Sequence, residues 1–564
     1  MQKYNSVNGP TERTVWQAID WQKTNRRVRN LRRRIFRASR EGDLARVRSL
    51  QKLVLRSHAV RLKAVRTVTQ ENEGRLTPGV DKLVVKTAEE RAKLVDTLKL
   101  HQPWRAMPVR RVYIPKANGK MRPLGIPTIL DRAMQAVVKT ALEPEWEARF
   151  ESCSYGFRPG RGCHDAIGRI YPLASPHRRK KWIVDADIEA AFDKIGHDAL
   201  LGALGSFPAH ALISQWLRAG YVEDGIFHET ETGTPQGGVI SPLLANIAFH
   251  GMEKALGIRY DNRGGLISHR GLVRYADDLV IFCESEADAY AARAEMAAWL
   301  APRGLQLSER KTRIVHLSDG FDFLGFNVRQ YPVPNTRTGL KLLIKPSRGA
   351  VKKFRTRLRG EWRNMRGQNI TAVLQRFNPV IRGWANYYRG VVSKVTFAKL
   401  DNWMFQHEVR WAKRTHPKKS WNWLKRRYWG RLRRNSRSPW VFGDANGSNA
   451  PLLNFSWTPI ERHVIVKGTN SPDDPTLDAY WENRNKRRHT KLSRRQQAMA
   501  ESQNGICLVC GESLHNGERL YTHNPKPWKV DGAQYLDDQQ LLHLYCHQQL
   551  LAKEKQDRRR KRFA

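Results

Sequence analysis

Apolar positions in the first 66 residues recur at the spacing of an α-helix. They are Val28, Leu31, Ile35, Leu44, Val47, Leu50 and Val54. Side chains three or four residues apart share one helix face, so the pattern predicts helices with a buried stripe. Between them lie many arginines, among them Arg32, Arg33 and Arg34, with few acids nearby. Such a face either meets solvent or contacts a phosphate backbone, and the pattern does not choose between the two.

Short β-rich runs alternate with helical stretches between residues 110 and 330. Two apolar runs flank Asn118-Gly119, which predicts a hairpin with Lys116, Lys120 and Arg122 near its tip. Residues 131–150 and 287–300 have helical patterns, whereas 305–312 and 321–326 have the pattern of short strands. The alternation predicts an α+β core.

Residues 271–282 place Asp277 and Asp278 between two apolar, β-rich runs. This pattern predicts a hairpin with both acids at its tip. Adjacent carboxylates repel each other unless a cation joins them, and oxygen ligands suit hard ions such as Mg²⁺. Taken alone, a solvated Asp-Asp turn is the simpler interpretation.

A second acidic position follows the apolar run at 182–184. Asp187 lies where this predicted strand ends, and Asp185 precedes it by two residues. Alternation places both side chains on one face, so spacing leaves the choice between them open.

From about residue 345 the chain becomes helical, basic and aromatic. Residues 401–440 contain 12 Lys and Arg, opposed by Asp401 and Glu408. Residues 436–475 are rich in Ser, Asn, Gly, Pro and Asp, which predicts a linker or a loosely packed connector.

Charge indicates the class of partner. The 564 residues include 100 Lys and Arg against 53 Asp and Glu, a formal net charge of +47, together with 18 Trp. A charge of this size indicates a polyanionic partner, and aromatic rings beside guanidinium groups suit unpaired bases. Residues 232–252 carry no Lys, Arg, Asp or Glu but contain Gly and Pro, so we expect no membrane span.

Six cysteines are too few for a disulfide framework in a chain of this length. We therefore expect a reducing, cytoplasmic setting. Cys507-x-x-Cys510 and His543-x-x-Cys546 have the spacing of a structural zinc site.

Six short motifs, taken in order, resemble those of group II intron-encoded proteins, which are reverse transcriptases with maturase function. They are Ile-Pro-Lys at 114–116, Arg-Pro-Leu-Gly-Ile-Pro at 122–127, Tyr-Gly-Phe-Arg-Pro-Gly at 155–160, Pro-Gln-Gly-Gly at 235–238, Tyr-Ala-Asp-Asp at 275–278 and Phe-Leu-Gly-Phe at 323–326.

The resemblance implies a right-hand polymerase in five parts. These are a basic helical extension (1–66), fingers and palm (67–340), a helical thumb or maturase domain (341–435), a DNA-binding or linker region (436–495) and a small zinc-bound HNH-like (ββα-metal) domain (496–564).

The resemblance also implies the polymerase site. The family's first palm carboxylate opens an Asp-x-x-x-x-Phe pattern, which selects Asp187 and Phe192 here. Asp187, Asp277 and Asp278 are then expected to hold two Mg²⁺ ions. Lys116 and Arg122 are expected to contact the dNTP triphosphate, Gln236 to line the nucleotide pocket, Phe192 to exclude a 2′-hydroxyl and Lys311 to lie near the primer.

Intron RNA and target DNA are the other implied partners, with the oligomeric state left open. The expected nucleic-acid contacts are Arg32, Arg33, Arg34, Arg158, Trp384, Tyr388, Lys425, Arg426 and Arg427.

The C-terminal resemblance implies a structural zinc at Cys507, Cys510, His543 and Cys546. It also implies a general base at His523 and a second divalent ion at His547. Two positions depart from the pattern. Thr522 stands where an acid or His usually precedes the base, and Asp538 stands where an Asn is usual. A nicking nuclease and a retained DNA-binding zinc module therefore remain alternatives.

The expected function is RNA-directed DNA synthesis with intron RNA binding, splicing assistance and target-primed insertion. A splicing-only RNA-binding maturase is the main alternative. A homing endonuclease fits less well, because the departures lie in the nuclease segment. A nucleotide cyclase is disfavoured by the finger motifs, the thumb and the charge.

Overall fold

The computed structural model of the protein describes residues 14–98, 104–115, 119, 121–261, 264–433, 438–486, 492–524 and 539–563. The helices are α1 (Trp21–Arg40), α2 (Leu44–Arg56), α3 (His58–Arg66), α4 (Ala88–Thr97), α5 (Ile129–Glu147), α6 (Cys163–Leu173), α7 (Ala191–Lys194), α8 (His197–Leu204), α9 (His210–Arg218), α10 (Ser241–Ala248), α11 (Met252–Ala255), α12 (Glu286–Leu300), α13 (Arg348–Asn364), α14 (Ile370–Tyr388), α15 (Lys394–Thr415), α16 (Trp421–Tyr428), α17 (Asp478–Lys486), α18 (Arg494–Ser502) and α19 (Leu544–Phe563).

Within the described residues the strands form five sheets. They are β1 (Val109–Pro115), β2 (Met121–Ile126), β3 (Trp182–Asp187), β4 (Tyr221–Glu223), β5 (Ile226–His228), β6 (Gly271–Tyr275), β7 (Asp278–Cys283), β8 (Arg313–His316), β9 (Phe321–Phe323), β10 (Phe326–Pro332), β11 (Leu340–Pro346), β12 (Trp429–Gly430), β13 (Val441–Phe442), β14 (Leu520–His523) and β15 (Gln540–His543).

The sheet that carries the predicted acids has the order β6-β7-β3-β8, and all its pairs are antiparallel. We call it the central sheet. Helix α12 packs on β3 and β7, and α6 packs on β6. The middle of β7, Val280 to Phe282, is fully buried, which explains its continuous apolar run.

The hairpin predicted around Asn118-Gly119 is confirmed by the pairing of β1 with β2, which runs to Pro115 opposite Met121. These strands belong to a sheet of order β2-β1-β4-β5. Lys116 and Lys120 lie outside the described residues.

The N-terminal helices confirm the predicted apolar stripe. Val28, Leu31, Ile35, Val47, Leu50 and Val54 are all buried. Helices α1, α2 and α3 each pack against α5, which anchors this region to the α+β core.

The prediction of a strand at 305–312 is wrong. Within this segment Leu307 makes an isolated bridge to Ile188, and regular pairing begins at Arg313 in β8. The backbone N–H of Ser308 instead donates to the carbonyl oxygen of Asp187 at 2.8 Å. The segment therefore crosses the end of β3, and its apolar positions alternate without a partner strand. The second predicted strand is a tight hairpin, in which Leu324 and Gly325 turn the chain between β9 and β10.

Two predicted boundaries fall inside regular elements. The boundary at 340/341 divides β11, since the helical domain begins at Arg348, and the boundary at 495/496 divides α18. The prediction of a loose connector at 436–475 is also wrong. Leu452, Phe455 and Val466 are buried, and Asp401 of α15 accepts hydrogen bonds from the backbone N–H groups of Phe455 and Ser456.

The C-terminal region is built from α18, the antiparallel pair β14–β15 and α19, which contacts both strands. Its buried residues join the same hydrophobic cluster as the N-terminal helices. No helix in the described part of the chain is long and apolar enough to cross a bilayer.

Glu408 provides a pH test of the helical domain. It lies buried in α15, and burial, followed by the nearby charge of Asp401, raises its pKa to about 8. The folded state therefore holds a proton there that the unfolded state loses near pH 4.5, so stability falls as the pH rises from about 5 to 8. We expect Glu408→Gln to stabilise the protein at pH 8.5 by on the order of 1–3 kcal/mol and to have little effect at pH 5.5.

Thermal unfolding at both pH values measures this difference. Glu231→Gln, which removes an exposed acid, serves as the matched control. Parallel pH profiles for Glu408→Gln and the wild type would contradict the assignment.

Candidate functional site

Three carboxylates meet at one end of the central sheet. Asp187 is the last residue of β3 and pairs in register with Asp278, the first residue of β7. Asp277 lies in the turn between β6 and β7, beside Ala276 at φ +57°. Residues directly opposite in an antiparallel pair project to the same face. The predicted hairpin with two acids at its tip is therefore confirmed.

The Tyr-Gly-Phe motif packs against the backbone of this turn. The backbone N–H of Tyr155 donates to the carbonyl of Arg274 at 3.0 Å. A Cβ atom on Gly156 would lie 2.4 Å from the backbone nitrogen of Ala276. Only glycine permits this approach, so Gly156 helps to fix the backbone that presents Asp277.

Burial raises the pKa of two of these acids, Asp277 and Asp278. Burial, then the charges of Asp277 and Asp187, raise the pKa of Asp278 to about 7. Burial also raises the pKa of Asp277, which the charges of Lys311 and Arg122 partly offset. Lys311 Nζ lies 2.7 Å from Asp187 Oδ2. A divalent cation would offset the remaining repulsion, and carboxylate oxygens are suitable donors for Mg²⁺.

Register distinguishes the position of Asp187 from that of Asp185. Asp185 pairs across the sheet with Val280 on one side and Arg313 on the other. Burial raises its pKa to about 6. Asp187, rather than Asp185, lies opposite Asp278 at the sheet end.

Phe192 and Gln236 line one cavity of about 230 Å³. The backbone N–H of Thr234 donates to the carbonyl of Phe192 at 2.6 Å, which joins the Gly-rich loop to the segment after β3. Two further residues beside this cavity were not predicted from the sequence. Arg111 lines the same cavity, and Phe157 contacts Phe192 edge-on with ring centroids 6.1 Å apart. Phe157 lies within the Tyr-Gly-Phe motif, its backbone has φ +59°, and its ring is half exposed. Nothing in the sequence indicated this exposure.

Two predicted nucleic-acid contacts, Arg158 and Tyr388, are buried, and a third, Trp384, is half-buried. Arg158 is fully buried and pairs with Glu147 at 2.9 Å. Tyr388 is buried and its hydroxyl donates to the carbonyl of Gly325 at 3.2 Å. Trp384 stacks on Phe354 with centroids 4.8 Å apart and also packs on Tyr388. The predictions for Arg158 and Tyr388 are wrong because both side chains are buried and bonded within the protein. A nucleic-acid contact of Trp384 stays a prediction.

Two arginines of α1 are likewise paired within the chain. Arg32 bonds to Glu143 and Asp473 at 2.9 and 2.6 Å, and Arg33 pairs with Asp478. These partners satisfy the charges that were predicted to contact phosphate. Arg34 is exposed.

The helical domain presents a different basic surface. A groove of about 620 Å³ between α13 and α15 is lined by Arg359, Arg363, Arg366, Arg410 and Arg414 together with Trp362, His407 and Trp411. We call it the arginine groove; no acid lines it among the described residues. Of the contacts predicted nearby, Arg426 is exposed, Lys425 lies over the ring of Trp440 at 4.4 Å, and Arg427 lies 3.5 Å from Asp444.

The C-terminal region brings together the predicted zinc set. One ligand atom from each of Cys507, Cys510, His543 and Cys546 lies within 4.8 Å of the others, and all four residues are buried. His543 Nε2 lies 3.2 Å from the carbonyl of Ser513, which leaves Nδ1 directed at Cys510 Sγ. Three thiols and one imidazole in this arrangement fit a tetrahedral zinc.

The predicted nuclease residues lie beside this cluster. His523 on β14 and His547 on α19 have ring centroids 5.4 Å apart. His523 is buried, and its Nε2 lies 3.6 Å from Glu554 Oε1. Thr522 is exposed on β14, and Asp538 lies outside the described residues. Glu554 was not predicted; it lies two helical turns after His547 on α19.

Comparison with known proteins supports the motif analysis. Residues 114–328 match the family described as reverse transcriptase (RNA-dependent DNA polymerase). Residues 16–98 match the N-terminal domain of reverse transcriptase, and 351–429 match the group II intron maturase-specific domain. These stretches contain the three carboxylates and the arginine groove, but they do not reach the Cys-His cluster.

Three relatives illustrate the similarity. Protein YkfC of Escherichia coli is 36% identical over 295 residues, which cover 46% of this chain and 77% of YkfC. The group II intron-encoded protein LtrA of Lactococcus lactis is 34% identical over 321 residues, which cover 46% of this chain and 53% of LtrA. An uncharacterized 91 kDa protein in the cob intron of Schizosaccharomyces pombe is 28% identical over 403 residues, which cover 58% of this chain and 49% of that protein.

The chain thus spans about half the length of LtrA and of the fission yeast protein. Its reverse transcriptase fold has mixed α and β content, and its helical domain is the maturase-specific domain. The chain belongs to the group II intron-encoded family of reverse transcriptases with a maturase domain.

Proposed function

We propose that the protein is an RNA-directed DNA polymerase that binds its intron RNA, assists splicing and supports intron insertion by target-primed reverse transcription. The observation that carries the proposal is the meeting of Asp187, Asp277 and Asp278 at the end of the central sheet. Its substrates would be dNTPs on an RNA template, with target DNA supplying the primer.

The carboxylates would hold two Mg²⁺ ions, which activate a primer 3′-hydroxyl and offset charge on the leaving pyrophosphate when bound. The chain's own residues supply position and charge. Lys311 holds Asp187 at 2.7 Å, and Arg122 is exposed with its charge acting on Asp277. Lys116 would add a second cation for the triphosphate. Phe192 would lie against the sugar and exclude a 2′-hydroxyl, and Gln236 would contact the nucleotide from the same cavity.

A splicing-only maturase would need the RNA-binding surface but not the acids. Ionised carboxylates that are partly buried and face one another cost folding free energy. Retention of all three beside Lys311 favours polymerase activity over the alternative.

The arginine groove supports the proposal that this domain contacts structured RNA. Five guanidinium groups without an acid among the lining residues suit a phosphate backbone, and binding the folded intron more tightly than misfolded forms is sufficient to promote splicing. Of the residues predicted from sequence, Arg34 and Arg426 remain candidate contacts.

A zinc ion at Cys507, Cys510, His543 and Cys546 would have a structural role, because all four ligands are protein side chains and the site is closed. A nicking HNH nuclease is a second candidate function for this region. The succession of β14, β15 and α19, with His523 facing His547, supports it. Thr522 in place of a metal ligand predicts weak activity, and a DNA-binding zinc module is the alternative.

The polymerase is tested by removing single carboxylates. We expect Asp187→Asn and Asp277→Asn each to slow nucleotide incorporation on an RNA template by at least about a thousandfold, since loss of a metal ligand removes several kcal/mol of charge stabilisation. Asp185→Asn is the matched control and should remain within about tenfold of the wild type. Equal losses in Asp185→Asn and Asp187→Asn, measured as single-turnover rates on folded protein, would contradict the site.

Intron RNA binding is tested by salt dependence. Arg363→Gln with Arg410→Gln should weaken binding and reduce the slope of log K against log salt by about one per arginine removed. Filter binding at four salt concentrations measures the slope. Arg337→Gln, an exposed position between β10 and β11, is the control. An unchanged slope in the double variant would exclude the groove from the RNA contact.

Nuclease activity is tested at the departure from the pattern. Thr522→Asp should increase target-strand nicking on the order of tenfold by restoring a metal ligand, whereas the neutral isostere Thr522→Asn should not. Nicking of a supercoiled plasmid that carries the target site measures this. Strong wild-type nicking that persists in His523→Ala would refute the assignment of the general base.

A further inference from the structure

The Cys-His cluster is packed directly against the N-terminal helices. Asn25 Nδ2 donates to the carbonyl oxygen of Cys510 at 3.0 Å, and Arg29 Nη2 lies 2.7 Å from Glu512 Oε1. On α19, Gln549 Nε2 donates to the carbonyl oxygens of Gln17 and Ile19 at 3.1 and 3.0 Å. A region some 480 residues away in sequence therefore completes the surroundings of the predicted metal site.

Arg66, at the end of α3, contacts a metal ligand itself. Its side chain is 2% exposed, and Nη2 donates to Cys546 Sγ at 3.1 Å. The guanidinium also lies over the ring of Trp21 at 4.6 Å and beside Glu71 at 3.1 Å. A buried guanidinium needs such partners, since an unpaired buried charge is strongly destabilising.

The charges of the two groups are complementary. Three thiolates, one neutral imidazole and one Zn²⁺ together carry one net negative charge. All four ligands are buried, so this charge is costly unless a cation lies nearby. Arg66 places a compensating positive charge beside Cys546, at the 3.1 Å N–H···S contact.

The loop from Cys507 to Gly511, closed by a hydrogen bond from the Gly511 N–H to the Cys507 carbonyl at 2.8 Å, is also matched to α1. Gly511 has φ +67°, and a Cβ atom there would lie 3.0 Å from Gln22 Cγ. The position of this loop depends on Cys507 and Cys510 being held together, as a shared metal would hold them. A metal bound to Cys507 and Cys510 would therefore hold the loop in the shape that α1 contacts.

We propose that Arg66 belongs to the outer shell of the Cys-His metal site, and that metal binding and docking of the C-terminal region on α1 and α3 are one linked equilibrium. The inference rests on the proposed occupancy of this site by zinc. By linkage, zinc stabilises the docked arrangement, and the docked arrangement tightens zinc binding by the same factor. Arg66 is a positioning residue in this scheme, and zinc loading would fix the C-terminal region relative to the reverse transcriptase domain.

Zinc affinity in the full-length protein tests the role of Arg66. Arg66→Gln should weaken zinc binding by about tenfold or more, as loss of an outer-shell partner does at other sites. Arg61→Gln is the matched control, because Arg61 lies on the same helix and donates to the carbonyl of Leu98 rather than to the cluster. Competition with a chromogenic chelator measures the affinity, and circular dichroism checks folding.

A second measurement needs no substitution at a buried site. Removing zinc from the wild-type protein with a chelator should speed backbone hydrogen exchange in α1 and α3 but not in α14, which lies outside the contact. Arg29→Gln, at the exposed rim, should weaken zinc binding in the same direction by reciprocity.

The outcomes separate the two claims. A wild-type protein that binds no zinc by metal analysis overturns both the proposed zinc site and the linkage. One bound zinc with equal affinity in Arg66→Gln and Arg61→Gln, and unchanged exchange in α1 and α3 on chelation, overturns the linkage alone. Weaker zinc binding in Arg66→Gln together with faster exchange in α1 and α3 supports it.

Discussion

The mutual repulsion of three carboxylates at the end of the central sheet is the constraint on which the structure around them depends. Two buried strands fix the register that sets Asp187 opposite Asp278, and burial raises the pKa of Asp278 to about 7. Lys311 partly offsets this charge at 2.7 Å. The irregular segment at 305–312 crosses the end of β3 and carries this lysine. A divalent cation would offset this repulsion, as the proposed polymerase mechanism requires.

Arginine serves two separate purposes in this chain. Arg32 and Arg66 join segments that are distant in sequence, and Arg158 is buried and paired with the nearby Glu147. The arginine groove, in contrast, has no lining acid among the described residues. The net charge of +47 therefore overstates the number of basic residues that are available to bind RNA. The paired arginines stabilise the arrangement of the N-terminal helices, the connector and the C-terminal region, and the free ones are available to a polyanion.

Local patterns predicted the elements that depend on local chemistry. The hairpins around Asn118-Gly119 and Asp277-Asp278, the apolar stripe of α1 and α2 and the Cys-His cluster all followed from spacing. Long-range pairing could not be predicted in this way. Arg32 meets Asp473 across 441 residues, and Tyr388 meets Gly325 across 63, so neither partner was visible beside the residue it satisfies. An alternating pattern at 305–312 likewise predicts a strand only where a partner edge exists.

The carboxylate site is proposed to synthesise DNA on an RNA template. The most direct measurement is extension of an oligo(dT) primer on poly(rA) by the wild-type chain with dTTP and Mg²⁺. We expect the primer to be extended with dTTP, and we expect this extension to stop when EDTA removes Mg²⁺. Absence of product from protein that is folded by circular dichroism and binds RNA would contradict the proposal and leave the splicing-only alternative.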